Sequence, residues 1–198
     1  PFTLKGMQIV TSISIGIALF PEDGDDFETL LKHADVAMYQ AKALGRDNAH
    51  FFTAELNERA QARLNLESNL RHALSQQELS LHYQPRIDAH SQRVLGVEAL
   101  LRWHSPALGP VSPAQFIPIA EETRLIMPIG AWVIDEACRQ MADWRRQGLD
   151  LGQVSINVSA LQLRDDSLVQ TLGAALQRHG LPSGAVELEL TESMLMDH

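Results

Sequence analysis

The segment at residues 94–103, which reads V-L-G-V-E-A-L-L-R-W, constrains the fold of this chain more than any other. If it is a β-strand, its alternate side chains point to opposite faces. One face is then wholly apolar, and the other carries Glu98 and Arg102, about 13 Å apart along the strand. That separation is too long for a mutual salt bridge, and it suits two parts of one elongated ligand. A strand whose polar face simply meets solvent is an alternative that this segment alone leaves open.

Two later segments repeat the arrangement. Residues 154–159 (V-S-I-N-V-S) and 186–191 (V-E-L-E-L-T) alternate in the same way, with Asn157 and Glu189 on their polar faces. Strands alternate with helical patterns from residue 94 onward, which predicts parallel β-α units. One polar face per strand fits a barrel with a functional interior better than an open sheet covered on both sides. Ligand groups in such a barrel come from the C-terminal ends of the strands, where Glu98, Asn157 and Glu189 lie.

The first fifty residues predict a separate α/β unit. Residues 9–20 alternate isoleucine with small residues, which is typical of a strand buried on one face. A helix follows, with Asp25 or Asp26 as its N-cap and Gly45 just beyond its end. Lys42 and Arg46 lie near that end, four residues apart, where cations interact favourably with the helix dipole.

A long helical connector is predicted after this unit. Residues 53–76 contain neither proline nor glycine and carry leucine and alanine at roughly helical spacing. We therefore expect three parts, at residues 1–52, 53–63 and 64–198. Within the last part, S-P-A-Q at 112–115 predicts a helix that begins with a capping box at Ser112.

Composition narrows the class of protein. The formal net charge of −9 argues against a binder of nucleic-acid polymers, which neutralise phosphates with clustered Lys and Arg. The single cysteine, Cys138, allows no intramolecular disulfide, which favours a reducing, cytoplasmic location. No apolar run approaches the roughly 20 residues that cross a bilayer, so we expect no membrane contact within this segment. A longer parent protein tethered to a membrane remains compatible with this.

The polar positions of the three strands predict a metal site. Two carboxylates and an amide oxygen form a hard-oxygen set that suits Mg²⁺ or Mn²⁺ and suits Zn²⁺ poorly. The eight histidines form no H-x-H or H-x-x-x-H pair. Hard cations in a barrel mouth support phosphodiester hydrolysis, and Arg102 is placed to receive a phosphate. Motifs for a nucleophilic serine, an NTPase, a redox dithiol or a dinucleotide cofactor do not occur.

Five motifs, in order, resemble the EAL family of cyclic di-GMP phosphodiesterases. They are Y-Q-P at 83–85, E-A-L-L-R-W at 98–103, S-P-A-Q-F-I-P-I-A-E-E at 112–122, I-N-V-S-A at 156–160 and E-L-T-E-S at 189–193. The first 52 residues resemble the C-terminal end of a GGDEF domain, through S-I-G-I-A at 14–18 and A-D-V-A-M-Y-Q-A-K-A-L-G-R-D at 34–47. The implied fold is α/β, a partial (β/α)₈ TIM-like barrel preceded by the C-terminal part of a GGDEF domain.

The resemblance implies roles for individual residues. Glu98, Asn157 and Glu189 match the metal ligands of the family, and Arg102 matches a contact to the substrate phosphate. Gln84 is a weaker match to a substrate contact, and Glu192 matches a glutamate that steadies an active-site loop. Lys42 and Arg46 match cyclase residues near the terminal phosphates of GTP.

The implied activity is metal-dependent hydrolysis of cyclic di-GMP to linear pGpG in the parent protein. Residues 64–198 are fewer than the about 250 that such a barrel usually contains, and further family ligands are expected downstream. We therefore expect the 198-residue chain alone to be inactive and to associate, with a homodimer as the simplest form. Two alternatives stay open: an inactive cyclic di-GMP receptor, and a GGDEF-EAL scaffold with diguanylate cyclase activity.

Overall fold

The chain folds as two compact units, Pro1–Leu66 and Glu67–His198, in a computed structural model that describes residues 2–4, 7–9, 11–149 and 151–190. The boundary between the units lies within the helix Ala54–Ala73. None of the helices within the described ranges is both long and apolar enough to cross a membrane.

The first unit contains two strand pairs and one long helix. Strands β1 (Phe2–Leu4) and β2 (Met7–Ile9) are antiparallel, and β3 (Ile15–Ile17) runs parallel to β4 (Ala49–Phe51). The helix α1 (Phe27–Ala43) packs on β3. Gly16 makes this packing close, because a side chain there would overlap the backbone of α1. Of the strand predicted over residues 9–20, Ile15–Ile17 forms β3 and Ile9 ends β2, so the strand is shorter than predicted because β4 pairs with Ile15–Ile17 alone.

Both ends of α1 follow from local sequence. Asp26 is the N-cap, and its carboxylate accepts the backbone N–H of Thr29 at 2.8 Å. This satisfies one of the N–H groups that a helix start leaves unpaired. Gly45, just past the helix end, adopts φ 103°, a left-handed conformation that favours glycine.

The second unit is built on one five-stranded sheet. Its strands are β5 (Leu79–Ile87), β6 (Val94–Ser105), β7 (Gly109–Val111), β8 (Gln153–Val158) and β9 (Val186–Leu190). The order is β5-β6-β8-β9, with β7 also paired to β6. Strands β6, β8 and β9 are parallel, whereas β5 and β7 run antiparallel to β6. The parallel β-α units predicted from residue 94 are thus present.

Helices connect the parallel strands. After α2 (Ala54–Ala73) come α3 (Pro113–Glu122), α4 (Ile126–Arg146), the one-turn α5 (Ala160–Leu163) and α6 (Ser167–His179). The apolar face of β6 packs towards them, with Val97, Ala99 and Trp103 at most 4% exposed. Leu95, at 58% exposed, is the exception on that face. The Trp103 ring meets Phe116 edge to face, and its indole N–H donates to Glu78 at 2.8 Å.

Two local features differ from the sequence predictions. Ser112 precedes α3, but its side chain makes no capping hydrogen bond, so the predicted capping box is wrong. The chain forms that motif at Ser159 instead, where the Ser159 hydroxyl accepts from the Gln162 N–H and the Gln162 side chain accepts from the Ser159 N–H. The sequence does not predict strand β7 or helix α5, because elements of three or four residues carry too little periodicity.

Candidate active site

Three side chains predicted as metal ligands lie on neighbouring parallel strands. Glu98 is on β6, Asn157 on β8 and Glu189 on β9, and Asn157 and Glu189 are direct register partners. Glu98 is the register partner of Ser155, two residues before Asn157. The Asn157 amide nevertheless reaches Glu98 and donates to its Oε1 at 2.7 Å. The three polar positions therefore occupy one face of the sheet.

An arginine that sequence reasoning missed joins this set. One guanidinium nitrogen of Arg86, on β5, donates to Glu187 Oε2 at 2.7 Å and to Glu189 Oε1 at 3.1 Å. The same nitrogen also donates to the Ser155 hydroxyl. The Ser155 hydroxyl donates in turn to Glu187 Oε2 at 3.0 Å. We call Arg86, Ser155 and Glu187 the basal cluster, since Ser155 and Glu187 precede Asn157 and Glu189 by two residues on parallel strands.

Charge and hydrogen bonding explain the ionisation of the basal cluster. The Arg86 guanidinium, with help from the Ser155 hydroxyl, lowers the pKa of the Glu187 carboxyl. In return Glu187, followed by Glu189 and Glu98, raises the pKa of Arg86. Glu187 accepts from both Arg86 and Ser155, whereas Glu98 and Glu189 accept one side-chain bond each, from Asn157 and Arg86 respectively.

The arrangement fits a hard divalent cation in part. Glu98 Oε2, Asn157 Oδ1 and Glu189 Oε2 accept no hydrogen bond from the described residues, so each retains an oxygen for coordination. Oxygen donors of this kind suit Mg²⁺-like ions. In the described part of the chain, however, no three His, Cys, Asp or Glu side chains form a complete metal-binding group. Glu98, Asn157 and Glu189 are therefore candidate ligands, two carboxylates and one amide, and do not by themselves form a complete site.

A cavity of about 390 Å³ adjoins the metal set, and Asn157 belongs to both. Arg102, Pro113 and Glu121 also line it. Arg102 donates one guanidinium N–H to the Leu101 carbonyl at 2.9 Å, and burial raises the pKa of Glu121. The volume lies within the range of about 300–1,000 Å³ that is common for small-molecule sites. Arg102, the candidate phosphate contact, and Asn157 thus line one cavity, whereas Glu98 and Glu189 do not line it.

The remaining predicted residues lie in different places. Gln84 is exposed on β5 as the register partner of Glu98, beside the candidate metal set. Lys42 is in the last turn of α1 and Arg46 follows at φ 62°; both are exposed, without an ion pair among the described residues of the first unit. Glu192 falls outside the described residues.

This fold defines the class of protein: an α/β chain whose second unit contains parallel β-α units, as part of a TIM-like barrel does. Two known protein families match this chain. Residues 67–198 match the EAL domain, and residues 1–48 match the diguanylate cyclase, GGDEF domain. The chain belongs to the EAL family, and its EAL part is preceded by the C-terminal part of a GGDEF domain.

Similar proteins carry the same pair of domains. The chain is 45% identical over 196 residues to the bifunctional diguanylate cyclase/cyclic di-GMP phosphodiesterase MucR of Pseudomonas aeruginosa, covering 99% of this chain and 29% of that protein. It is 43% identical over 198 residues to the cyclic di-GMP phosphodiesterase PdeR of Escherichia coli, covering all of this chain and 30% of that protein. The chain therefore spans less than a third of the length of these relatives.

Solved structures show the same fold. The phosphodiesterase of P. aeruginosa MucR in complex with c-di-GMP superposes with a TM-score of 0.64 at 47% identity, over 67% of this chain and 54% of that one. The FimX EAL domain of Xanthomonas citri in complex with c-di-GMP gives a TM-score of 0.61 at 27% identity, over 72% and 55% of the two chains. Membership of the EAL family also implies dependence on a divalent metal ion.

Proposed function

We propose that the protein containing this chain hydrolyses cyclic di-GMP to linear pGpG, with Mg²⁺ or Mn²⁺ as cofactor. The observation that carries the proposal is the contact between Asn157 and Glu98, because it brings two candidate ligands together while Glu189, the register partner of Asn157, lies on the adjoining strand. The relatives named cyclic di-GMP phosphodiesterases support the substrate.

Each residue has a defined task in this proposal. Glu98, Asn157 and Glu189 hold the cation through their oxygens. Arg102 receives a non-bridging phosphate oxygen pair, since a guanidinium presents two parallel N–H donors. Gln84 contacts the dinucleotide from β5, and Glu192 steadies a loop near the site.

The reaction adds one water across one of the two phosphodiester bonds. The bond between phosphorus and one 3′ oxygen breaks, the oxygen of water becomes part of the phosphate, and the 3′ oxygen leaves as a hydroxyl. A bound divalent cation supplies Lewis-acid polarisation of the phosphoryl group and lowers the pKa of water. Arg102 would hold the phosphate as negative charge builds on its oxygens, which is where fixed donors contribute most.

The test compares wild type with Glu98→Gln in the full-length protein. Cyclic di-GMP is incubated with Mg²⁺ or with Mn²⁺, and products are separated by chromatography. We expect wild type to form pGpG and Glu98→Gln to lose more than about 100-fold in rate, because losing a metal ligand costs more than the 10–100-fold of outer-shell changes. Glu58→Gln is the matched control, since Glu58 is exposed on α2.

Two outcomes would contradict the proposal. Saturable binding of cyclic di-GMP without turnover by wild type would indicate a receptor, and equal turnover by Glu98→Gln and wild type would remove Glu98 from the site. A parallel incubation with GTP tests the first unit, in which we propose that Lys42 and Arg46 lie near the nucleotide phosphates. Formation of cyclic di-GMP from GTP would show that the full-length protein is also a diguanylate cyclase.

A further inference from the structure

Arg86 reaches across the sheet to strands that are not its neighbours. It lies on β5, whereas Ser155 is on β8 and Glu187 and Glu189 are on β9. Strand β6 separates β5 from β8. Neighbouring strands are about 4.8 Å apart, so β9 is about 14 Å from β5 along a flat sheet. The side chains of Arg86, Glu187 and Glu189 together span this distance across the polar face.

The register partner of Arg86 on the intervening strand is a glycine. Gly96 lies on the same face of β6 as Glu98, two residues away. An added side chain at 96 would meet the carbonyl of Gln153 on β8. The polar face of β6 therefore carries no side chain directly opposite Arg86.

The contacts of Arg86 fit a role in holding Glu189. Glu187 and Ser155 fix the guanidinium from one side, through bonds that include the 2.7 Å contact to Glu187 Oε2. The guanidinium then donates to Glu189 Oε1, which leaves Oε2 of that carboxylate for coordination. The positive charge of Arg86 balances the negative charge of Glu187. The carboxylates of Glu98 and Glu189 then contribute two further negative charges, which match the charge of a divalent cation.

We propose that Arg86 is a positioning residue for the metal site: anchored by Glu187 and Ser155, it holds the Glu189 carboxylate in the orientation that binds the cation. The inference rests on the proposed function. Arg86 contacts a metal ligand rather than the cation or the substrate, as an outer-shell partner does. Changes at such partners commonly cost 10–100-fold in metal affinity.

The experiment measures Mn²⁺ affinity of the full-length protein by electron paramagnetic resonance, which reports the loss of the free-ion signal on binding. We expect Arg86→Gln to weaken Mn²⁺ binding 10–100-fold. Arg93→Gln is the matched control, because it removes the same charge from an exposed position in the turn between β5 and β6, and it should bind as wild type does. Arg86→Lys keeps the charge without the fork of donors and should give an intermediate loss.

A double variant tests whether the cluster acts as a unit. If Arg86 works through its bond to Glu187, the pair Arg86→Gln and Glu187→Gln should lose no more affinity than Arg86→Gln alone, since residues acting together are not additive. Thermal unfolding of each variant, followed by circular dichroism, checks that the fold is retained. If Arg86→Gln does not fold, the Arg86→Lys result decides.

The outcomes separate this inference from the proposed function. Wild type that binds Mn²⁺ and forms pGpG, with Arg86→Gln binding as tightly as Arg93→Gln, would overturn the role of Arg86 and leave the function intact. Tighter binding by Arg86→Gln, or additive losses in the double variant, would overturn it as well. Wild type that binds no Mn²⁺ and forms no pGpG would overturn both.

Discussion

At the scale of single residues, the candidate site depends on side chains that reach across strands. Asn157 reaches Glu98 over an offset of two residues in the register. Arg86 and Glu187 are 45% and 43% exposed, so water screens their ion pair and it contributes little to stability by itself. These contacts orient the carboxylates, because they determine which carboxylate oxygens accept hydrogen bonds.

A second residue contact fixes the chain just after Asn157. Gln162 is 5% exposed and bonds the Ser159 N–H through Oε1 at 3.1 Å. Its amide packs against Gly130 of α4, where an added β-carbon would overlap the Gln162 side chain. The turn that follows a candidate metal ligand is therefore held by a buried glutamine whose amide lies against a glycine.

The same substitution should have opposite effects at two helical glycines. Gly130→Ala forces Gln162 to move and should destabilise by about 1–3 kcal/mol, as overpacking does. Gly173→Ala on α6 has open space around the added carbon and should stabilise by up to about 1 kcal/mol, because alanine is the better helix former. Urea unfolding of the two variants measures both changes. Equal effects at the two positions would show that Gln162 does not pack against Gly130.

At the scale of elements, short capping motifs and register place the site. Only Ser159, the N-cap of α5, lies between β8 and α5, so the capping box begins two residues after Asn157. Strand β6 is the central element, because it pairs with β5, β7 and β8. Its apolar face anchors it to the helices through Trp103 and Phe116, and its polar face presents Glu98 and Arg102.

Two serines that both precede helices should differ in their contribution to stability. Ser159→Ala removes a side-chain cap and should cost about 1 kcal/mol in the free energy of unfolding. Ser112→Ala removes no capping bond and should stay within about 0.5 kcal/mol of wild type. Urea unfolding followed by circular dichroism measures both. A loss at Ser112 as large as that at Ser159 would contradict the assignment of the caps.

At the scale of the whole molecule, the sheet of the second unit is open at both sides. Among the described residues, β5 pairs only with β6, and β9 only with β8. Unpaired strand edges offer N–H and C=O groups to a second chain. The first unit also exposes large apolar side chains, such as Ile13 at 71% and Phe27 at 79%. These surfaces support the proposal that chains of this sequence associate.

Association of the 198-residue chain should depend on concentration. We expect its sedimentation coefficient to rise with concentration in analytical ultracentrifugation. Leu190→Lys, at the exposed end of β9, should reduce association, because lysine on an edge strand discourages pairing. Leu149→Lys is the control, since Leu149 is similarly exposed, at 46% against 42% for Leu190, and lies outside the sheet. A chain that stays monomeric at all concentrations would contradict the proposed homodimer.

The sequence by itself determined the long strands of the second unit, their faces and the candidate ligands. Period-two alternation is a local property, so it places Glu98, Asn157 and Glu189 opposite the apolar faces whatever the rest of the chain does. The motifs around these residues also identify the EAL and GGDEF families from sequence alone. The roles of Glu98, Arg102 and the other site residues stay predictions until the variants are measured.

Only the tertiary structure revealed the basal cluster and the capping at Ser159. Arg86 and Glu189 are far apart in sequence, and their contact requires a particular strand order and a particular register, neither of which alternation specifies. The same holds for Gly130 and Gln162, which meet because α4 packs against the turn after β8. Local periodicity fixes which side chains share a face, whereas long-range packing decides which of them touch.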